Sequence, residues 1–238
     1  MDSYVAAGLI QHPTSPWSSP LVCVPKQSGG IRITVNYQKL NKITDVPQIA
    51  SPRVDEVLDN LGGGSVFSVF DLFSGFTQLT IHPDTIPLTA FCTPNGLYEW
   101  LRMPQGTAGA PVWFVSVMRL VINGLDNIRI YLDDAIGFDD SPIHHVATLV
   151  DFFESLRLYK LKLSPAKSRL GAAQVDFLGH CYLLRRRSSQ RRQSCRPHMS
   201  MPSDIKQLRS LLGGLSYYRK FLLNLARRIR PAMGLLKK

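Results

Sequence analysis

The chain has 238 residues, of which 45% are hydrophobic, and 28 Lys and Arg residues outnumber 17 Asp and Glu residues to give a formal net charge of +11. This apolar share suffices for the core of one large or two small domains, which excludes a chain that is disordered throughout. Arg119 interrupts the strongest candidate for a run of about 18 apolar residues, and Met1–Tyr4 is not a basic leader, so a membrane span and a signal peptide are both disfavoured.

The positive charge is concentrated at the C-terminal end. Residues 1–179 have a net charge of −3, whereas residues 180–238 have a net charge of +14. Such a basic region is typical of a surface that binds nucleic-acid phosphates, although an ordinary solvated surface can have the same composition. The four cysteines form no Cys-x-x-Cys pair, which favours an intracellular location, in the cytoplasm or the nucleus.

The N-terminal part of the chain predicts a short helix and then a hairpin. The helix is expected over Asp2–Gln11, and it ends before a proline cluster that begins at Pro13. The runs Leu21–Pro25 and Ile31–Val35 are rich in β-branched residues, and Gly29-Gly30 between them allow a tight turn. We therefore expect a β-hairpin whose tip lies at the glycines.

The middle of the chain predicts alternating helices and strands. Apolar residues at helical spacing indicate a helix over 54–61, and Gly62–Gly64 end it before the strand-like run Ser65–Phe70, which leads into Asp71. The segment Ala108–Asn123 is apolar on nearly all sides, which favours a buried helix.

A second hairpin and another helix follow. The strands Ile128–Leu132 and Ala135–Phe138 leave Asp133 and Asp134 at the bend between them. Ser141 is expected to cap a helix that begins at Pro142. The apolar face predicted for this helix consists of Val146, Leu149, Val150, Phe153 and Leu156.

The C-terminal part predicts a strand over Val175–Leu178 and a small helical unit over Ser203–Leu236. Helices gathered beside a body of strands and helices indicate an α+β fold.

Three acidic residues directly follow apolar strands, namely Asp71, Asp133 and Asp134. Carboxylates that meet at a sheet edge repel one another unless cations neutralise them, and Mg²⁺ prefers such oxygen ligands. An Asp-Asp pair at a hairpin bend is also ordinary turn chemistry, so the residues alone leave both interpretations open. Asp139-Asp140, just before a helix start, is interpreted as turn chemistry only.

Six ordered blocks of the sequence resemble the reverse transcriptase domain of gypsy-type LTR retrotransposons, over nearly the whole chain except a stretch after His180. The blocks are Ser15–Pro20, Val24–Asn41, Phe70–Gln78 with Tyr131-Leu132-Asp133-Asp134, Met103–Pro111, Phe177–His180 and Leu208–Phe221.

The resemblance implies a right-hand polymerase fold within the α+β class. Fingers and palm would occupy residues 1–180, a basic connecting segment residues 181–202, and the start of a helical thumb residues 203–238. It also implies an RNA-directed DNA polymerase that adds deoxynucleoside triphosphates to a primer on an RNA or DNA template. Two Mg²⁺ ions, with Mn²⁺ as an alternative, would serve as cofactors, and the family's polyproteins continue past the position of Lys238.

The family's functional positions can be placed on this sequence. Asp71, Asp133 and Asp134 would be both the catalytic residues and the metal ligands. The nucleotide would meet the hairpin cations Lys26 and Arg32, the pocket residue Gln105, and Phe76, whose ring would exclude a ribose 2′-hydroxyl. From the residues alone, the favoured interpretations are a core residue for Phe76 and an ordinary solvated hairpin for Lys26 and Arg32. The primer and template would contact Gln38, Tyr131, Gly179, His180, Arg209, Arg219 and Lys220.

The chain departs from the family pattern at three positions outside the acidic cluster. Asn36 and Gln38 stand where relatives usually have Asp and Arg, and Gln105 stands where gypsy-type elements more often have Phe. Because these residues belong to the template and nucleotide regions, the departures concern template handling.

The connecting segment departs further, because residues 181–198 are rich in Arg where relatives have a short loop and an acidic helix. We hypothesise that compensating insertions or deletions in the gene, near residues 181 and 199, shifted its reading frame. One alternative is a genuine basic linker. A second is a nuclear-import signal formed by Arg185–Arg187 and Arg191-Arg192. A third is a zinc site formed by His180, Cys181, Cys195 and His198.

Two further functions stay open from the sequence. One is a catalytically degenerate relic of such a domain that retains at most nucleic-acid binding. The other is a metal-dependent nuclease that uses the same acidic residues.

Overall fold

The computed structural model describes residues 1–13, 15–25, 30–48, 54–61, 64–183, 193–194, 201–217, 219 and 224–236. It divides into two compact units, Met1–Gly171 and Ala172–Lys238. No helix among the described residues is both long enough and apolar enough to cross a membrane.

Short strands and helices of mixed length make up the described chain. The strands are β1 (Ile10–Gln11), β2 (Ser19–Pro25), β3 (Ile31–Val35), β4 (Val66–Asp71), β5 (Phe91–Thr93), β6 (Gly96–Trp100), β7 (Ile128–Tyr131), β8 (Asp134–Asp139), β9 (Arg169–Ala172), β10 (Gln174–Phe177), β11 (His180–Leu183) and β12 (Gln193–Ser194). The α-helices are α1 (Asp2–Ala6), α2 (Gln38–Lys42), α3 (Val54–Asp59), α4 (Ala110–Val121), α5 (Pro142–Leu158), α6 (Ile205–Tyr217) and α7 (Leu225–Leu235). Short 3-10 helices lie at Gly75–Gln78, Pro83–Thr89 and Pro165–Lys167.

The first sheet of the N-terminal unit has the strand order β1-β6-β5-β2-β3 in the described chain. The predicted hairpin is present, because β2 and β3 pair antiparallel from Leu21 opposite Val35 to Pro25 opposite Ile31. One face of the sheet covers a core that includes Tyr37, whose hydroxyl donates to the Thr89 carbonyl oxygen at 2.7 Å. Burial raises the pKa of Tyr37 above its ordinary range, so this hydroxyl stays a donor.

The predicted helix over Asp2–Gln11 is wrong beyond Ala6. Gly8 has φ of 63°, a left-handed conformation that a continuing helix cannot contain. Ile10 then pairs with Trp100 in β1 and is 1% exposed. Ile10 is therefore a strand residue and not the last apolar residue of the predicted helix. Pairing with β6 at the edge of the sheet buries its side chain in the core.

The second sheet has the order β7-β8-β4-β9 and contains the predicted β7–β8 hairpin. Strands β4 and β8 pair antiparallel along their full length, from Val66 opposite Asp139 to Asp71 opposite Asp134. Helices α4 and α5 contribute Phe114 and Phe152, both 0% exposed, to the core formed with these strands. The sheet thus has a packed centre, and both of its central strands end in carboxylates.

Helix α5 buries only part of the predicted face, since Leu156 is buried and Leu149 packs against the core of the second sheet while other members of that face are exposed. Val146 is 63% exposed and Val150 is 48% exposed, whereas His145 and Phe152 are buried. The apolar residues of α5 are spread around the helix, so periodicity alone does not define its orientation. The ring nitrogens of His145 are hydrogen-bonded within the sheet, and these bonds place a polar residue on the buried face.

The C-terminal unit contains the β10–β11 hairpin, strand β12 and helices α6 and α7. Phe177 pairs with His180, and Leu178 and Gly179 between them have φ of 50° and 77°. Two central residues with positive φ are what a type I′ hairpin turn requires. Helices α6 and α7 lie where the sequence predicts a helical region. Most of the basic segment lies outside the described residues, namely residues 184–192 and 195–200, and these include Arg185–Arg187 and Arg191-Arg192 of the import hypothesis and Cys195 and His198 of the zinc hypothesis.

Candidate active site

Three aspartates meet at one end of the central strands of the second sheet. Asp71 is the last residue of β4 and is paired with Asp134, the first residue of β8. Asp133 lies in the turn before β8, and its carbonyl oxygen accepts a hydrogen bond from the Leu72 N–H at 2.9 Å. The antiparallel register therefore brings together three residues that are up to 63 positions apart in the printed sequence.

The turn that contains Asp133 has an unusual backbone. Tyr131 pairs with Asp134, which leaves only Leu132 and Asp133 in the turn. Leu132 has φ of 54°, whereas Asp133 is not in the left-handed region, and this sign pattern is typical of a type II′ turn. A left-handed leucine costs about 1–2 kcal/mol, so the surrounding sheet must hold the turn in place.

The electrostatics of this end of the sheet are unfavourable without a cation. Burial raises the pKa of Asp134, and the neighbouring charges of Asp133 and Asp71 raise it further, while Lys167 lowers it. Lys167 donates from Nζ to both carboxylate oxygens of Asp71, at 3.1 and 3.0 Å. Mutual repulsion among closely spaced carboxylates is the situation that a bound hard cation relieves.

The chemistry of these donors fits Mg²⁺, because carboxylate oxygens from adjacent strand ends are its preferred protein ligands. With Lys167 on Asp71, however, no three His, Cys, Asp or Glu side chains in the described part of the chain are arranged so that they could hold a metal ion. The positions of the three aspartates on the backbone and their carboxylate oxygens therefore fit Mg²⁺. In the side-chain arrangement of this structure, however, the ammonium group of Lys167 supplies the positive charge.

Gln78 fixes the loop that follows Asp71. Its side-chain Nε2 donates to the carbonyl oxygens of Phe73 and Lys162, at 2.7 and 2.9 Å, and its Oε1 accepts from the Lys162 N–H at 2.6 Å. No sequence pattern predicts this role for Gln78, although the residue closes one of the blocks that carry the resemblance. Its place in that block is the only signal.

Gly75, the residue before Phe76, lies beside Asp133. Gly75 has no room for a side chain, because a Cβ there would lie 2.9 Å from the Phe114 ring and 3.3 Å from the Asp133 Cβ. The next residue, Phe76, is half-buried, and its ring centroid lies 4.8 Å from that of Phe114. The ring of Phe76, which is predicted to exclude a ribose 2′-hydroxyl, thus packs against the buried ring of Phe114.

Gln105 and Gln38 lie on two segments that Asn41 joins. The Asn41 side chain donates to the Gly106 carbonyl oxygen at 2.9 Å and accepts from the Ala108 N–H at 2.8 Å. Gly106 has φ of 101°, and both glutamines are exposed. No sequence pattern indicates a role for Asn41, whose amide holds the loop that presents Gln105. An apolar cavity of about 510 Å³ also borders Asn41, and none of the three aspartates lines it.

Asn36, one of the predicted departures from the family pattern, forms a hydrogen bond at the start of α2. Its Oδ1 accepts a hydrogen bond from the Gln38 N–H at 3.0 Å, at the start of α2. An amide oxygen accepts this bond as a carboxylate would, although without its charge.

Among the remaining predicted residues, Tyr131 lies next to the aspartates, because it pairs with Asp134. Tyr131 is half-buried on β7, and the Arg32 backbone lies on β3 opposite Val24. Hydrogen bonds and ring contacts of the described residues do not join Gln38 or Gln105 directly to the aspartates. In the C-terminal unit, Gly179 lies in the β10–β11 turn, His180 begins β11, and Arg209 and Arg219 are exposed. Lys26 and Lys220 lie outside the described residues.

A second polar cluster lies at the other end of β4 and β8. The Ser68 Oγ is 2.7 Å from His145 Nε2, and His145 Nδ1 is 2.6 Å from the Asp139 carboxylate. A serine, histidine and aspartate in this order can form a nucleophilic triad, but Ser68 is 0% exposed and no substrate can reach it. The cluster is structural, and Asp139 is a buried partner of His145 rather than the turn residue that the sequence predicts.

The fold is that of a right-hand nucleic-acid polymerase. Comparison with solved structures supports this class. The foamy viral protease-reverse transcriptase in complex with double-stranded DNA is similar over 99% of this chain and 42% of that chain, with a TM-score of 0.90 and 26% identity. The same viral protein in complex with an RNA/DNA hybrid is similar with a TM-score of 0.85 and 26% identity, over 99% of this chain and 32% of that chain.

Sequence comparison gives the family. Residues 24–182 match the model of the reverse transcriptase (RNA-dependent DNA polymerase) family. The retrovirus-related Pol polyprotein from transposon 297 of Drosophila melanogaster is 35% identical over 97% of this chain and 23% of its own length. The Pol polyprotein from transposon 412 of the same organism is 31% identical over 97% of this chain and 19% of its own length.

The chain belongs to the reverse transcriptase family, and the predicted resemblance to gypsy-type elements and the right-hand polymerase fold are confirmed. The chain spans less than a quarter of the length of these two retrotransposon relatives. The activity of the complete protein is therefore a matter for proposal.

Proposed function

We propose that this domain is an RNA-directed DNA polymerase that adds deoxynucleotides to the 3′-hydroxyl of a primer. The observation that carries the proposal is the meeting of Asp71, Asp133 and Asp134 at one end of β4 and β8 in a chain of the reverse transcriptase family. Nucleotide transfer depends mostly on positioning and charge neutralisation, and a rigid sheet end provides such positioning.

Asp71, Asp133 and Asp134 would hold the divalent ions, two Mg²⁺ or alternatively Mn²⁺. When bound, such ions neutralise charge on the attacking and leaving oxygens of the transfer. The protein's contribution is to hold three carboxylates on paired strands and in a tight turn, so that they move little during the reaction.

Phe76 would select deoxynucleotides. Its ring rests on Phe114, which is 0% exposed, so the ring cannot retreat into the core to admit a larger sugar. Gln105, presented by the loop that Asn41 holds, would line the nucleotide pocket. Arg32 lies on β3, and Lys26 directly follows the last residue of β2 in the sequence; these two cations would meet the triphosphate.

Primer and template would be RNA or DNA, bound along the palm and by the C-terminal helices. The support is that the similar viral protein is seen with double-stranded DNA and with an RNA/DNA hybrid, and that residues 180–238 are strongly basic. Basic side chains contact nucleic-acid backbones without reading sequence. The proposed contacts are Gln38, Tyr131, Gly179, His180, Arg209, Arg219 and Lys220.

The division into fingers and palm, basic connection and thumb is part of the same proposal, as is an intracellular setting. The setting is supported by Cys23 and Cys92, which are free thiols.

Primer extension tests the proposed activity. A DNA primer annealed to an RNA template is incubated with deoxynucleoside triphosphates, Mg²⁺ and either the wild-type chain or Asp133→Asn. Asp140→Asn is the matched control, because Asp140 is exposed just after β8 and its carboxylate contacts only His144 among the described residues. We expect extension by the wild type and by Asp140→Asn, and none by Asp133→Asn.

Three other outcomes contradict the proposal in different ways. Extension that survives Asp133→Asn would disprove the site. Absence of extension by every variant would indicate a degenerate relic. Cleavage of unprimed nucleic acid without nucleotides, lost in Asp133→Asn, would indicate the metal-dependent nuclease.

A further inference from the structure

Lys167 occupies both oxygens of the Asp71 carboxylate. Its Nζ lies 3.1 Å from Oδ1 and 3.0 Å from Oδ2, so the ammonium is centred on the same two atoms that a metal ligand would offer. This contact joins residues 96 positions apart, which makes it a product of the fold rather than of local sequence.

The backbone around Lys167 is attached to the strand that carries Asp71. The Ser164 N–H donates to the Asp71 carbonyl oxygen at 2.8 Å, and Leu72 pairs with Leu163 in an isolated bridge. The Lys167 N–H in turn donates to the Ser164 carbonyl oxygen at 3.1 Å, within a 3-10 turn. Two consecutive backbone hydrogen bonds, from Lys167 to Ser164 and from Ser164 to Asp71, therefore connect Lys167 to the residue whose carboxylate it contacts.

The chain is also anchored on the other side of Lys167. The Gly171 N–H donates to the buried Ser68 Oγ at 2.9 Å, and Ser68 lies three residues before Asp71 on β4. Because both ends of the segment are bonded to β4 or to the loop after it, the Lys167 side chain starts from a fixed position above the carboxylate.

The ammonium is held in place but remains able to leave. The Lys167 side chain is 67% exposed, whereas the Asp71 side chain is 22% exposed. An ion pair with one solvated partner is weak, and a long lysine side chain can return its charge to water at small cost. A divalent ion with stronger attraction to three carboxylates can therefore displace it.

We propose that Lys167 is a built-in counter-cation that occupies Asp71 until a divalent ion replaces it, and that it thereby lowers the affinity of the site for metal. This inference rests on the proposed function, because it takes Asp71 to be a metal ligand. Lys167 is thus a positioning residue that keeps the carboxylates together in the metal-free protein.

The test measures the affinity of the full chain for Mn²⁺ in the absence of nucleotide and nucleic acid. Binding is monitored by titration calorimetry and by water-proton relaxation. Lys167→Met is compared with Lys162→Met, which removes the same charge from an exposed side chain five residues earlier while leaving the backbone bonds to Gln78 intact. We expect Lys167→Met to bind Mn²⁺ about three- to tenfold more tightly than wild type, and Lys162→Met to stay within about twofold.

Lys167→Gln, which keeps a polar side chain, should show the same tightening and guards against an effect of the methionine. Equal affinities for wild type, Lys167→Met and Lys162→Met would overturn the inference, and so would weaker binding by Lys167→Met. In the Asp71→Asn background, replacing Lys167 should no longer change the affinity. If Asp71→Asn itself leaves Mn²⁺ binding by the wild type unchanged, the metal assignment under the proposed function fails, which is a separate result.

Discussion

The two ends of the β4–β8 strand pair contain carboxylates in opposite circumstances. At one end, Asp139 is 4% exposed, and its oxygens accept hydrogen bonds from His145, Asn127 and Thr148. At the other end, Asp134 is half-buried, and the charges of Asp133 and Asp71 add to the burial that raises its pKa. The same residue type on the same strand is therefore satisfied by the protein at one end and left with repelling neighbours at the other.

This difference separates a structural carboxylate from a functional one. A buried charge is stable only when donors saturate it, as they do around Asp139. At the other end, repulsion among Asp71, Asp133 and Asp134 lowers the stability of the folded protein. Unfavourable interactions of this kind are typical of sites that bind a ligand or carry out a reaction. Residue types alone would not distinguish the ends, because a Ser, a His and an Asp that could form a catalytic triad also meet at the structural end.

Asp71→Asn should have the largest effect on function and little effect on stability. We expect incorporation to fall at least about 10³-fold, since a metal ligand contributes several kcal/mol to the transition state. The melting temperature should stay near that of the wild type, because Asp71 loses only an exposed ion pair. Primer extension and calorimetric melting of the same preparation measure the two quantities, and a large loss of stability would contradict the comparison.

Asp139→Asn should show the reverse behaviour. Every partner of Asp139 among the described residues is a donor, so the new amide NH₂ must face His145, Asn127 or Thr148. We expect a loss of about 2–4 kcal/mol in unfolding free energy, measured by urea denaturation. Activity per folded molecule should be retained at a temperature well below the midpoint, and its loss there would place Asp139 in the active site.

Ser68→Ala tests the same buried end with a smaller change. It removes the acceptor of the Gly171 N–H and the partner of His145 Nε2. Leaving the buried His145 Nε2 and the Gly171 N–H without this partner should cost about 1–3 kcal/mol, and hydrogen exchange at the Gly171 amide should accelerate. Unchanged protection of that amide would show that Ser68 does not hold β9 on β4. Ser65→Ala, which removes a hydroxyl that donates to the Asp140 carbonyl oxygen, is the control.

The sequence predicts the acidic end better than the buried end for a physical reason. Asp71 and Asp133-Asp134 each directly follow a short apolar run, and such runs predict strands from local sequence alone. The meeting of Ser68, His145 and Asp139 depends on the rotation of α5, which its apolar residues do not define because Val146 and Val150 remain exposed. Sequence periodicity predicts the elements, and hydrogen bonds between distant residues decide their orientation.

Lys167 and Gln78 show a similar limit. Both act through partners that are 84 to 96 positions away in the chain, so no local spacing indicates them. The left-handed Leu132 is equally invisible, because a leucine is not the residue that a turn of this type prefers. The resemblance to a family indicates which segments of the sequence are functional, but it does not predict the contacts that Lys167, Gln78 and Leu132 make within them.

Asp134→Asn should raise the stability by a small amount, and the sign of this change distinguishes the two ends most sharply. The raised pKa of Asp134 means that the folded state binds a proton more tightly than the unfolded state, so stability falls as the pH rises through the window between the ordinary and the raised pKa. At neutral pH the charged form is disfavoured by burial and by its acidic neighbours, so the neutral amide should stabilise the protein by about 1 kcal/mol, or roughly 2–4 °C.

The gain from Asp134→Asn should shrink as the pH is lowered through that window and vanish below the ordinary carboxyl pKa of about 4. Metal-free melting curves of the variant and the wild type across this range measure it. Saturating Mn²⁺ should reverse the order of stability at neutral pH, because only the wild type keeps all three carboxylates for the ion. A variant less stable than the wild type in metal-free buffer at neutral pH would show that Asp134 is satisfied like Asp139, and the contrast between the ends would fail.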